Sequence, residues 1–237
     1  MKKLLKKLPK LYEKVRLRSH EFVIISNNCW GFECYKTLNR EYNTPFVGLF
    51  LYPVDYLKLL RRFDQIGNEP LRFQNFSAHH DMQPNYPIGI IFENLEIHFL
   101  HYSNEAEARD KWTRRLQRMK QSIAHGAEIL FKMCDRDGCT SSDLETYHNL
   151  PVVLQSKRVS FGVKPLKIAH HVRVNGELSE LQNQAVDGHQ LYRKRYKAFD
   201  FAEWVVSGKT EFSMISRMLG ATQSSREVRR RPQWSPE

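Results

Sequence analysis

The apolar positions of this chain fall into short runs whose period changes from one stretch to the next. Phe22-Val23-Ile24-Ile25 is a compact β-rich run that stops at Ser26-Asn27-Asn28, residue types that favour turns and helix caps. The pattern predicts a strand and then a polar loop. Residues 31–42 read as helix, broken at Thr44-Pro45 before the apolar run 46–52, which has strand length. Tyr56, Leu59, Leu60 and Phe63 then line one stripe of an amphipathic helix over 54–66, and the polar, Pro- and His-containing stretch 67–86 reads as loop.

Residues 88–92 and 95–100 predict two short strands, paired as a hairpin around Glu93-Asn94. Ser103 or Asn104 caps a helix that runs to about residue 122, with Asn104 and Glu107 at capping-box spacing. A strand over 129–133 leads into the turn Asp135-Arg136-Asp137-Gly138. Ser141 or Ser142 caps the next helix, where Asp143 and Glu145 meet its positive end. Strands over 152–154 and 158–161 and a helix over 199–206 complete the pattern. Strands alternating with helices predict an α/β fold, with a mixed or mostly parallel sheet flanked by helices. Such sheets bind ligands beyond the carboxyl ends of their strands. The two most polar strand-end loops, residues 26–28 and 135–138, are therefore where chemistry is sought.

Composition changes this picture mainly at the ends. The net charge of +11 is uneven, because residues 1–20 hold eight Lys/Arg against one Glu, residues 209–237 hold six against three, and the body keeps +1. A near-neutral body without a nucleic-acid motif argues against specific nucleic-acid binding. Leu4, Leu8, Leu11 and Val15 recur at helical spacing among lysines, so residues 1–19 read as a basic amphipathic segment suited to an anionic membrane surface, unless the stripe packs on the body. Pro9 is expected to end or kink that helix. From residue 209 the polar, Arg-rich tail reads as disordered. No apolar run reaches membrane-spanning length, no signal peptide is evident, and four cysteines make no disulfide framework, which together point to the cytoplasm.

Three constellations carry candidate chemistry. Asp135 and Asp137 have a spacing at which two carboxylates share a divalent cation such as Mg²⁺ or Mn²⁺, although Asp-x-Asp-Gly turns also serve ordinary loops. Glu96 and His98 lie two apart on a strand and so point to one face, where a carboxylate orients a histidine base, or where the histidine is merely satisfied at a core edge. Cys29-x4-Cys34 and Cys134-x4-Cys139 have the regularity of a zinc site at its wide limit of spacing, against the reading of four buried thiols. Dinucleotide, P-loop, α/β-hydrolase and zincin motifs are absent.

Five ordered blocks resemble one bacterial family. They are Ile25-Ser26-Asn27-Asn28-Cys29-Trp30-Gly31, Tyr42-Asn43-Thr44-Pro45-Phe46-Val47-Gly48-Leu49, Tyr86-Pro87-Ile88-Gly89, Glu96-Ile97-His98-Phe99-Leu100-His101-Tyr102 and Asp135-Arg136-Asp137-Gly138-Cys139-Thr140. The family is a domain of unknown function labelled exopolysaccharide or capsular polysaccharide biosynthesis protein. The resemblance covers about residues 20–208 and implies two abutting α/β subdomains. Lys111, Trp112 and Arg115 match it as well, whereas Cys34 and Cys134 depart from it, which weakens the four-thiolate reading. The resemblance implies a transferase that uses an activated sugar or other group donor and a polysaccharide or lipid-linked acceptor. In that expectation Asp135 and Asp137 hold the metal, Asp137 taking a catalytic role too, and His98 with Glu96 activates the acceptor. Arg136 faces phosphate, and Ser26, Asn27, Asn28, Trp30 and His101 bind substrate. The rival is a carbohydrate-binding or assembly protein in which an open groove of Trp30 and Tyr102 holds sugar without turnover.

Overall fold

Elements follow one another as α1 (Leu8–Arg16), β1 (Phe22–Ser26), α2 (Trp30–Leu38), α3 (Pro53–Arg61), a 3-10 turn (Phe63–Gln65), β2 (Arg72–Gln74), β3 (Ile88–Ile91), β4 (Leu95–His98) and α4 (Glu105–Ala124). The second half runs β5 (Glu128–Cys134), α5 (Ser141–Asn149), β6 (Ser156–Gly162), β7 (His171–Arg173), β8 (Ser179–Glu180), β9 (Gln184–Ala185), α6 (Gly188–Arg193) and α7 (Phe201–Ser207). The structure is a computed structural model that describes residues 8–80, 83–151, 153, 155–181, 183–211, 217 and 218.

Strands β1, β5, β6 and β7 form a parallel sheet in the order β1-β5-β6-β7. Strands β1 and β5 send apolar side chains into both cores, as a sheet covered on both faces requires. Alternation in β5 sends Ile129, Phe131 and Met133 into one core, which holds Tyr56 and Leu59 of α3, Trp112 and Leu116 of α4 and Tyr147 of α5. Leu130 and Cys134 enter the other core, with Trp30 and Tyr35 of α2, Leu191 of α6 and Trp204 of α7. The antiparallel sheet β2-β3-β4 shares the first core through Ile91, Leu95 and Ile97.

Local signals explain most boundaries. Asn104 caps α4 by accepting from Glu107 N at 2.9 Å, and the Glu107 carboxylate reaches back to Ser103 N at 2.7 Å. The cap of α5 is Thr140 rather than Ser141 or Ser142, because Thr140 and Asp143 close a reciprocal capping box. Helix α2 is shorter than the sequence pattern predicts, ending where Asn39 turns left-handed at φ 58°.

Residues 46–52 are the main correction. They are largely buried but pair with a strand only through the Phe50–His98 bridge. Gly48, at φ +75°, interrupts the extended run where its missing Cβ would lie 3.3 Å from His101 Cβ. Strand β2 lies inside the expected loop 67–86. Residues 152 and 154 of the expected strand 152–154 lie outside the described residues, and β6 begins only at Ser156. Pro9 is the second residue of α1 as described, and the residues before Leu8, on which the expected break at Pro9 depends, lie outside the described residues. The expected disordered tail lies almost wholly outside the described residues, as do residues 1–7.

Candidate active site

The polar loop after β1 is folded inward. Ser26 and Asn27 are fully buried, Ser26 Oγ accepts from Asn28 N, and Asn28 Oδ1 accepts from Trp30 N at 3.3 Å. Beneath the loop the Lys132 ammonium is completely buried, donating to Asn27 Oδ1 at 3.2 Å, Asn28 Oδ1 at 2.9 Å and Cys134 Sγ at 3.1 Å. The carboxamide oxygens thus solvate a cation from below, which accounts for two adjacent asparagines at a strand end. Ser26 and the oxygens of Asn27 and Asn28 therefore serve the loop itself. Trp30 is enclosed by Phe161, Tyr192 and Phe201 and reaches no cavity, so its role is packing rather than contact with a sugar.

Cys29 follows this loop as the residue capping the N-terminus of α2. Its Sγ and the nearest ring nitrogens of His101 and His189 all lie within 4.8 Å of one another. Among the described residues this is the group of three metal-ligating side chains that converges. His189 Nδ1 pairs with Glu33 Oε1 at 3.0 Å, and Arg193 contacts the same oxygen at 2.9 Å. The result is a thiol, an imidazole and a carboxylate in series, with a second imidazole beside the thiol. Gly188 makes the approach of α6 possible, since a Cβ there would lie 2.6 Å from Trp30 N and from Asn28 Oδ1.

Electrostatics polarise the series. Burial works against ionising Cys29, but polar contacts with His101 and His189 outweigh it and bring the thiol down to about 7. Those contacts with Cys29, then Glu33, raise His189 to about 9 against the effect of burial. His101 is raised by the same thiol. Glu33, although burial resists its ionisation, is held at about 2 by His189 and Arg193. Both thiolate and imidazolium are thus favoured here, and the sulfur stands at a helix N-terminus, which also favours negative charge. Both imidazoles wall a cavity of about 350 Å³ shared with Phe32, Tyr42, Tyr102, Lys111 and Arg115.

His98 and Glu96 form a different cluster. His98 is fully buried, stacks on Phe50 at 4.5 Å and contacts Glu96 Oε2 at 3.1 Å, and burial lowers it to about 4 although Glu96 pulls the other way. Glu96 also accepts from Gln74, Ser77 and Ala78 N. This carboxylate fastens the segment after β2 over β4. A histidine so enclosed meets no acceptor, which corrects the expectation of a base at His98. The more accessible imidazole here is His79, paired with the buried Asp55 at 2.5 Å.

Asp135 is likewise committed, its two oxygens accepting from Val163 N and Ala185 N at 2.7 Å each. With both oxygens holding backbone amides, it is poorly placed to share a cation with Asp137, which sits exposed at φ 59°. Desolvation raises Asp137, against Arg136 and Lys132. Arg136 bonds Glu180 and Ala185 O at 2.6 Å, tying the loop to the β8–β9 hairpin rather than facing open space. A larger cleft, about 430 Å³, lies along the start of β6, and its His148 is turned to the buried Ser160 Oγ and lowered by burial to about 4.

Of the residues expected at the site, the structure brings His101 into the converging group and leaves the others in three separate settings. Cys29 stood in the recognised block and was weighed only as one of four thiols. Glu33 and His189 carried no sequence signal beyond Glu33 lying one helical turn after Cys29.

Comparison with known proteins supports a domain of unknown function and brings no polysaccharide label with it. An uncharacterized protein of Haemophilus influenzae is 33% identical over 196 residues, which make up 80% of this chain and 86% of that relative. A family model described as Domain of unknown function (DUF1919) matches residues 1–206, so it takes in the N-terminal segment that the block resemblance left out. The chain therefore belongs to the family described as Domain of unknown function (DUF1919).

Proposed function

We propose that the protein is a cysteine-dependent group-transfer enzyme that moves an acyl group from an activated donor to a hydroxyl acceptor. The observation that carries this reading is the series Cys29, His189, Glu33 beside a cavity at the carboxyl end of the parallel sheet. Thiolate Sγ attacks the donor carbonyl and forms a thioester, while imidazolium His189 gives its proton to the departing group. Neutral His189 then takes the acceptor's proton, the new C–O bond forms, the C–S bond breaks, and the thiolate and imidazolium are restored. Glu33 keeps the ring oriented. The α2 N-terminus, which Cys29 caps, favours negative charge developing beside the sulfur. An acceptor hydroxyl on a surface polysaccharide or its lipid-linked precursor is the setting we favour, since acylation is a common substituent chemistry for sugars.

The test is acid-quenched mass spectrometry after mixing with p-nitrophenyl acetate or an acetyl thioester. One acetyl group on Cys29 is expected, and none there in Cys29→Ser. Absence of the adduct in the wild type, or its presence elsewhere with equal yield in the variant, rejects the reading. The non-catalytic alternative asked for an open groove of Trp30 and Tyr102; Trp30 is enclosed in the core, whereas Tyr102 walls the cavity beside the two imidazoles.

A peripheral membrane location is part of the same proposal. Leu8, Leu11 and Val15 of α1 are exposed at helical spacing, 38%, 58% and 68%, among Lys10, Lys14 and Arg16, while the opposite face is pinned inward by Glu13. No helix of the described residues is long and apolar enough to cross a membrane. An exposed apolar stripe flanked by lysines suits the interface of an anionic bilayer. In sedimentation with vesicles rich in phosphatidylserine, Leu11→Glu with Val15→Glu should lower the bound fraction severalfold; unchanged binding removes the membrane from the proposal.

A further inference from the structure

The proposed proton transfers use Cys29, His189 and Glu33 and take nothing from His101 beyond its contact with the thiol. Yet His101 is the exposed member of the converging group, held in place by its backbone N–H to Gly48 O at 3.0 Å. Cysteine sulfur with two imidazole nitrogens is a donor set that selects zinc over the hard cations expected of aspartates. Zinc bonds of about 2.3 Å to sulfur and about 2.1 Å to nitrogen set tetrahedral ligand atoms about 3.5 Å apart. The present separations, within 4.8 Å, close to that by side-chain rotation of about 1 Å.

The outer contacts suit the same ion. Ligating histidines almost always give their second ring nitrogen to a carboxylate or carbonyl. His189 already does so through Nδ1 to Glu33, which leaves Nε2 for the metal, and Arg193 fixes Glu33 in turn. Both histidines also wall the cavity of about 350 Å³, so a fourth position opens toward it.

We propose that Cys29, His101 and His189 bind one Zn²⁺ reversibly, with the fourth position open to water or an anionic ligand, and that the ion silences the thiol by occupying it. This rests on the Cys29 reading above for its consequence, but not for the binding. The Cys29 thiolate lone pair that would attack a carbonyl is donated to the metal instead; the His189 imidazolium gives its Nε2 proton to solvent as that nitrogen takes the ion, and no electrons are exchanged. In this view zinc supply governs how much of the protein is active.

The experiment begins with chelator-treated full-length protein. Titration with Zn²⁺ against a chromophoric indicator should give one ion per chain, and Co²⁺ should give a thiolate-to-cobalt charge-transfer band with tetrahedral visible bands. Cys29→Ser should lose the charge-transfer band. His101→Ala should weaken binding at least tenfold while leaving Cys29 open to iodoacetamide, because the His189–Glu33 pair remains. Glu33→Gln should weaken it about tenfold or more, as second-shell losses do. Thermal melts matching the wild type establish that each variant is folded, and His101, being exposed, is the safest of them. Zinc should slow wild-type alkylation of Cys29 and have little effect in His101→Ala at the same concentration. Zinc affinity unchanged from the wild type in Cys29→Ser or His101→Ala, or no binding in the wild type, overturns the zinc site. If zinc binds as stated but no acyl adduct forms on Cys29, the metal site stands and the acyl-transfer reading falls.

Discussion

Iodoacetamide should label Cys29 ahead of every other cysteine, with a rate that rises through a midpoint near pH 7 in metal-free buffer. The sign follows from the charges around it. The thiol is brought to about 7 because the two imidazoles outweigh burial, so the reactive thiolate is lost as pH falls below that value. His189, raised to about 9, keeps its proton until higher pH, so thiolate and imidazolium coexist between about 7 and about 9. Burial pushes Cys34 and Cys139 upward, and Cys134 is enclosed beneath Asn28. His189→Gln removes one of the two stabilising cations and should move the midpoint toward the ordinary thiol value of about 8.5. At pH 6 the labelling rate should drop about tenfold. Peptide mapping over pH 5–10 measures this, and a profile with the same midpoint in both proteins would mean that His189 does not act on the thiol.

Glu13→Ala should cost about 3–5 kcal/mol, the largest stability effect expected of a single change here. Glu13 is completely buried and accepts from Arg195 Nε at 2.6 Å, Tyr196 OH at 2.7 Å and Tyr192 OH at 3.1 Å. Removing the carboxylate leaves the Arg195 guanidinium buried without its partner charge, and desolvation then acts on it unopposed. For a chain of this size the melting temperature should drop by about 10 °C. Replacing both partners, Glu13→Met with Arg195→Met, should cost less than the single change, because no charge is stranded. A calorimetric scan in which Glu13→Ala melts with the wild type would show that α1 adds nothing to the fold.

How much was legible depended on whether the signal was local. Runs such as 22–25, 88–92, 95–100 and 129–133 announced β1, β3, β4 and β5 because a strand buried against a core needs its own apolar residues. Asn104 and Glu107 announced α4 through a contact spanning three residues. Residues 46–52 misled because burial, rather than pairing, is what their apolarity serves. Strands β7, β8 and β9 hold two or three residues each and exist only by virtue of the neighbours they pair with, so no period could reveal them. The site divides the same way. His101 and Cys29 stood in recognisable blocks, whereas Glu33 acquires its meaning from His189, 156 positions away, on a six-residue helix with no periodicity of its own. Trp30, Asp135 and Glu96 look like chemistry in the sequence, and the structure places them in packing, in holding two loop amides and in fastening the segment after β2, roles that a sequence pattern does not separate from catalysis.

The distance along the chain between Cys29 and His189 also fixes when the thiol becomes special. As the polypeptide leaves the ribosome, Cys29 emerges well before residues 188–193, which bring the imidazole and arginine that hold Glu33. Until α6 docks through Gly188 against the 28–30 loop, the nascent chain carries a thiol that lacks His189 and is correspondingly less acidic. Docking of α6 is therefore the step that completes the charge setting of the thiol.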